Sequence, residues 1–318
     1  MEKKKYIILK DSKKLAKKDC GDKKFIIYIL IILLIFILFL ICNIIIEKKL
    51  FLKEKLRLEK DREIFEKNIM NKEYYFYRYL CPKEVIGKKK VLYGNYGDGG
   101  YVLLDDLTDI KIAYSFGISN IISFDKALAD KGIDVYMYDH TINGLPFDDS
   151  KFHWKKIGLT GERERGKNLP NLKTLKELLV ENGHTQEKNM ILKIDVENNE
   201  WDTLNEITDD ILRKFKYIIM EFHFWDIDKK YNLYLNCMKH LMKFHQIFHI
   251  HCCNCERLLI MGDNPICNTI EVSYIKREGN EFKKDESIYP VKGLEYKICN
   301  KKPSMDLEPN ILKYCDNL

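Results

Sequence analysis

The spacing of hydrophobic and polar positions changes three times along the chain. Residues 25–46, FIIYILIILLIFILFLICNIII, form an uncharged run in which only Asn43 is strongly polar. As a helix this run is long enough for a hydrocarbon core of about 30 Å, so a single uncleaved transmembrane anchor is expected there. It lacks the short apolar region and small-residue cleavage site of a signal peptide. Residues 47–80 then mix Leu50, Leu56, Ile64 and Phe65 with dense charge of both signs and contain no Pro or Gly, the pattern of a helical stalk. A dimer through that stalk is compatible with an imperfect heptad.

From about residue 90 short apolar runs alternate with helical stretches, the pattern of βαβ units and a mostly parallel sheet. Strands are expected at 110–116, 135–138, 153–157, 190–194, 217–222, 247–251 and 269–275. Helices are expected around 124–130, 172–181, 200–212 and 231–244. The fold class is α/β, a Rossmann-like sheet with helices on both faces and a last strand that folds back. The expected division is a basic tail at 1–24, the anchor at 25–46, the stalk at 47–80, one globular domain at 81–300 and a tail at 301–318. A chain of 318 residues, 46% of them hydrophobic, can bury one sizeable core of this kind.

Net charge of +6 would point to nucleic acid if it covered the domain, but ten lysines lie in residues 1–24. That is a basic tail beside a membrane, and no nucleic-acid partner is expected. Seven basic residues also follow the apolar run between Lys48 and Arg62. The remaining bias favours a cytosolic amino terminus and a domain facing a lumen or the exterior. The ten cysteines show no regular disulfide framework, and Cys299 with Cys315 are either a pair or free thiols.

Candidate chemistry collects at the carboxyl ends of the expected strands. IKIAYSFGISN is a strand followed by a tight turn at Gly117, where backbone N–H groups and a helix amino terminus approach a ligand; it is not a GxGxxG. IDVYMYDHT ends in Asp139, at the spacing from Gly117 from which an acid reaches ribose hydroxyls. MILKIDVENNEWDTL ends a buried strand in Asp195, Glu197 and Glu200, with Trp201 behind them. Glu200 and Trp201 are expected on a helix face and in the core. KYIIMEFHFWD places Glu221 and His223 on the same side of an extended segment, as base, metal ligand or substrate clamp, or as a satisfied polar pair. Asp98, Gly99 and Gly100 either close over a ligand or make a hairpin turn. His249, His251, Cys252, Cys253, Cys255 and Cys267 crowd together but match no standard zinc spacing, so no metal site is assigned.

NYGDGGYVLL, AYSFGISNIISFDKALADKGIDVYMYDHT, LKIDVENNEWDTL, EFHFWD, HIHCCN and NTIEVSYIKR together resemble the methyltransferase domain 22 family, akin to FkbM-type enzymes. The resemblance covers roughly residues 81–277. It implies a class I methyltransferase sheet in which the first and fourth strands are neighbours, and S-adenosylmethionine as cofactor. It further implies cofactor contacts at Ser115, Phe116, Gly117, Asp139 and Asp195, with Asp195, Glu221 and His223 as the catalytic candidates. The chain departs from the family at Asn198, where a DVEG motif has Gly, and at Ser119, where relatives commonly keep a second Gly. Asn tolerates left-handed backbone, so Asn198 is expected to preserve its turn. The expected activity is O-methylation of a sugar or small-molecule hydroxyl by a membrane-anchored enzyme. The alternative is an inactive membrane-tethered binding module on the same fold.

Overall fold

The computed structural model describes residues 31, 33–57, 76–161, 171–225, 227–255, 258–261, 264–294 and 315. The chain divides into two compact units, Met1–Met70 and Asn71–Leu318. In the first, residues 33–57 are helical. Among the described residues no helix is long and apolar enough to cross a membrane. This corrects the expected single-pass anchor at 25–46, and with it the membrane localisation, cytosolic amino terminus and lumenal or exterior domain. The apolar part of the continuous described helix is the fourteen residues 33–46, after which Glu47, Lys48 and Lys49 begin the charged stretch. Residues 25–30 and 32, the tail at 1–24 and residues 58–75 of the expected stalk lie outside the described residues.

The second unit is built on a seven-stranded sheet, which we number β1 (Ile112–Phe116), β2 (Asp134–Tyr138), β3 (Phe152–Lys155), β4 (Met190–Ile194), β5 (Phe215–His223), β6 (His245–Cys252) and β7 (Thr269–Lys276). Their spatial order is β6-β7-β5-β4-β1-β2-β3. β7 runs antiparallel to both its neighbours, and the pairings from β5 through β4, β1 and β2 to β3 are parallel. This is the mostly parallel sheet with a folded-back last strand that the alternation of runs predicts, and β1 and β4 are neighbours.

Central strands have both faces covered, which explains why MILKI is buried at every position and reads as a continuous run rather than an alternation. One core, around Trp201, Leu178, Met220 and Met238, packs the helices Leu175–Glu181, Glu200–Glu206 and Ile227–Met242 on one face. A second, around Leu103, Phe124, Val135 and Phe248, packs the helix Ser123–Ala129 and the hairpin Lys90–Gly94/Gly100–Leu104 on the other. Phe76, Tyr77 and Leu80, read from sequence as the end of a stalk, are fully buried in the first core.

Local chemistry sets the helix boundaries. The helix expected from 172 begins at Leu175 because Thr174 and Glu177 form a reciprocal capping box. The helix expected over 200–212 breaks in two, since Ile207 and Thr208 are extended and Asp209 and Asp210 open a new first turn. Cys315 is bonded to Cys81, and Cys252 to Cys267; Cys299, its proposed partner, lies outside the described residues.

His245, fully buried at the start of β6, donates through Nε2 to the Phe215 carbonyl at 2.9 Å. Burial pushes its pKa down to about 4, and the bond to Phe215 only partly opposes this. The unfolded histidine therefore takes up a proton near pH 6.5, while the folded one resists until about pH 4. Stability from this group is complete above the unfolded value and is lost as pH falls through that window, by on the order of 3 kcal/mol. Urea titrations at pH 7 and pH 4 should show that loss in the wild type, and a smaller one in His245→Gln, whose amide can still donate to Phe215.

Candidate active site

The turn after β1 is shaped by contact with the end of β4. Gly117 has φ +75, and a Cβ there would collide with the Asp195 carbonyl oxygen. Its N–H donates to the Tyr138 carbonyl at 3.1 Å, and the Asp195 N–H donates to the Phe116 carbonyl at 3.1 Å. Ser119 follows at φ 52. The two positions that depart from the family's glycines, Ser119 and Asn198 (φ 78), thus both keep a left-handed backbone, as does Glu197 at φ 53.

Asp139 braces this turn from the end of β2. Its Oδ2 accepts from the Ile118 and Ser119 N–H groups at 2.9 Å each, and its Oδ1 from the Thr141 N–H at 2.7 Å and hydroxyl at 2.6 Å. Burial works against the carboxylate, but these four donors outweigh it and hold its pKa below the ordinary value. Hence Asp139→Ala is expected to loosen the loop as well as any ligand contact. A stability loss on the order of 3 kcal/mol, with weaker binding at the Gly117 turn, is expected from paired denaturation and calorimetric measurements.

Asp195 meets a lysine that the sequence reading passed over. Lys193, the one charged residue of β4, is buried, and its ammonium donates to the Gly117 carbonyl at 2.6 Å, the Phe116 carbonyl at 3.3 Å and Asp195 Oδ2 at 3.3 Å. Burial presses its pKa down, but Asp195, Asp125 and Glu221 outweigh this and raise it, so it stays charged. Tyr101, from the hairpin, donates its hydroxyl to the same Oδ2 at 3.3 Å. On the other side stands Glu221, whose cross-strand partner on β7 is Glu271. Burial first, then Asp195 and Glu271, drive the Glu221 pKa well up, and it lies within hydrogen-bonding reach of Asp195.

His223 is oriented by Glu200, fully buried at the first turn of the helix Glu200–Glu206. Glu200 Oε1 accepts from the His223 N–H at 2.8 Å and from its Nδ1 at 3.2 Å. Nε2 faces Glu197 Oε2 at 3.5 Å and Glu221 Oε1 at 3.6 Å. Burial lowers the imidazole pKa, but Glu200, Glu197 and Asp195 reverse this and leave it raised. Trp201 is core as expected: it stacks on Phe222 and donates Nε1–H to the His223 carbonyl at 2.7 Å, fixing the end of β5.

These groups line a cavity of about 270 Å³ that includes Gly117, Lys193, Asp195, Glu197, Glu221 and His223. Asp98 and Gly99, in the loop of the hairpin, also line it. A second cavity of about 360 Å³ shares Gly117, Ser119, Asp195 and Glu197, and adds Asp139, His140 and Thr141. Of the expected site residues, Gly117, Asp139, Asp195, Glu221 and His223 come together at the carboxyl ends of adjacent strands. Ser115 and Phe116 do not reach either cavity: both are buried within β1, and Phe116 contributes only its carbonyl. Lys193 and Tyr101 were missed, although a lysine inside an otherwise apolar strand was a visible signal; Glu200 is buried at the helix start as expected, but its partnership with His223 was not foreseen. The late histidine and cysteine cluster is divided, with Cys253 and Cys255 lining the first cavity and the other members used elsewhere. Cys252 and Cys267 form a disulfide, His251 pairs with Glu271 at 2.8 Å, and buried His249 packs near the Tyr289 ring.

The family model described as "Methyltransferase FkbM domain" matches residues 109–249, which run from the start of β1 into β6. This segment is similar to FkbM methyltransferase domains. All five site residues that converge on the cavities lie inside the matched segment, and the FkbM half of the expected resemblance is the half that matches. No curated protein matches the chain. Among solved structures the chain is similar to bluetongue virus VP4, described as a multifunctional RNA-capping production-line, at 9% identity and a TM-score of 0.27. That similarity covers 65% of this chain and 30% of VP4, so the chain spans about a third of that protein's length.

Proposed function

We propose that this FkbM-like domain transfers a methyl group from S-adenosylmethionine to a hydroxyl of a small molecule or glycan. The observation that carries the reading is the acid-lined cavity beside the Gly117 turn. Asp98, Asp125, Asp195, Glu197 and Glu221 face a space in which Lys193 supplies the buried ammonium. A sulfonium is a cation, and such a surplus of carboxyls in a partly enclosed space favours it. The neighbouring cavity, walled by Asp139, His140 and Thr141, suits the nucleoside half of the cofactor.

In this reading the acceptor oxygen forms a bond to the methyl carbon as the carbon–sulfur bond breaks, and S-adenosylhomocysteine leaves with that electron pair. The work of the protein is alignment and removal of the hydroxyl proton. Asp195, held by Lys193 and Tyr101, orients the acceptor or takes its proton. His223 is aimed by Glu200 at the same space, and Glu221 stands beside Asp195. The membrane-anchored form of this activity is not part of the proposal.

A binding module without turnover is the second reading, favoured by one observation: all four acceptor positions of Asp139 are already used within its own chain. Calorimetry with S-adenosylmethionine and the full chain, followed by labelled methyl transfer into a fractionated extract of the source cell, tests both. Saturable binding with label in a hydroxyl compound supports the enzyme. No saturable binding removes it, and binding without transfer to any fraction supports the module.

A further inference from the structure

We infer that Asp195, Glu197 and His223 form a binding site for a first-row divalent cation at the floor of the acidic cavity. One donor atom from each residue lies within 4.8 Å of the others. One imidazole nitrogen and two carboxylates leave open positions on the ion, and this mixed nitrogen and oxygen set suits Mn2+ or Zn2+ better than Ca2+.

Two features set this trio apart from an ordinary acidic patch. The first is the histidine's support: a fully buried carboxylate, Glu200, engages Nδ1 and the main-chain N–H, so the tautomer with its lone pair on Nε2 is the one favoured. Nε2 then points at the carboxylates. A carboxylate on one ring nitrogen with the other aimed at a ligand is the arrangement by which metal-bound histidines are held. The second is Thr269. It lies directly opposite His223 in the β5–β7 ladder, so the two side chains share a face of the sheet. Thr269 is 1% exposed and lines the same cavity, and its hydroxyl has no hydrogen-bond partner among the described residues. A buried hydroxyl left unmatched costs stability unless something bound there uses it, and a water on the ion is such a partner.

The site itself stands on this geometry. Its use rests on the proposed methyl transfer: an ion here would hold the acceptor oxygen on an open position, beside Asp195, and lower the pKa of the hydroxyl.

The test uses the purified full chain, stripped with chelator and titrated with Mn2+ alone, read by calorimetry and by loss of the free-ion electron paramagnetic resonance signal. One ion per chain is expected. Glu197, whose side chain is 73% exposed, can be changed without disturbing the core. Glu197→Gln is therefore expected to fold normally by circular dichroism and to weaken Mn2+ binding by at least about tenfold, as is Glu200→Gln through the histidine. Absence of saturable Mn2+ binding, or binding unaltered in folded Glu197→Gln, overturns the site. S-adenosylmethionine binding to the stripped chain is measured in parallel. Cofactor binding without Mn2+ binding sinks the metal site alone, whereas Mn2+ binding without cofactor binding keeps it and sinks the enzyme.

Discussion

Asp195→Asn is expected to lower methyl transfer by about a hundredfold to ten-thousandfold, the range for loss of a group that orients or deprotonates an acceptor. Asn keeps the shape of Asp195 and can still accept from Tyr101, but it removes the charge facing the acceptor. The structure adds a consequence that the sequence alone did not contain. Asp195 is also the nearest compensating anion of buried Lys193, so the substitution leaves a buried ammonium poorly matched and costs about 1 to 3 kcal/mol of stability. Turnover must therefore be normalised to folded protein from a denaturation curve. The double variant Lys193→Met with Asp195→Asn removes both charges together, and such a change is far less costly than breaking a buried pair. Recovered stability without recovered transfer would assign Asp195 to the chemistry. Near-normal transfer in folded Asp195→Asn would make the carboxylate cluster structural.

The largest loss of stability is expected from Gly117→Ala. An L side chain at φ +75 is strained, and its Cβ would have to occupy the space of the Asp195 carbonyl oxygen, a backbone atom that no rotamer change can move aside. Relief requires β1 and β4 to part where Asp195 N–H bonds to Phe116 and Lys193 clamps both Phe116 and Gly117. A penalty of about 3 kcal/mol or more follows from backbone strain and overpacking combined. It should appear as a lowered urea midpoint, together with loss of S-adenosylmethionine binding in whatever fraction remains folded. A variant as stable as the wild type would show that the turn opens freely and that β1 and β4 do not need the close approach.

The central strands were legible because a strand covered on both faces must be apolar throughout, so MILKI and KYIIMEF could be placed from composition alone. Position-specific chemistry made the Gly117 turn, the acids Asp139 and Asp195, and the pair Glu221 and His223 visible too: each is a turn residue or a charge at the end of an apolar run. Roles were harder to read. Asp139 was expected to meet ribose, yet its Oδ2 is filled by the backbone of a loop some twenty residues earlier and its Oδ1 by Thr141. Nothing in the local sequence of either segment encodes that contact. The apolar run at 25–46 was read by length alone, whereas the described helix carries that character only over 33–46 before charge begins.

What the sequence determined by itself is therefore the order of strands and helices along the chain, the likeness of residues 109–249 to an FkbM methyltransferase domain, and which polar residues end up at strand termini, since these depend on neighbours within a few positions. Only the tertiary structure decided partnerships: Glu200 with His223, Lys193 with the Gly117 and Phe116 carbonyls, Tyr101 with Asp195, and Thr269 opposite His223. Each joins residues from different elements, apart from the short step from Lys193 to Asp195. Such pairings are set by which strands become neighbours and in what register. Those choices depend on burying two apolar faces at once, a property of the whole sheet and of no single segment.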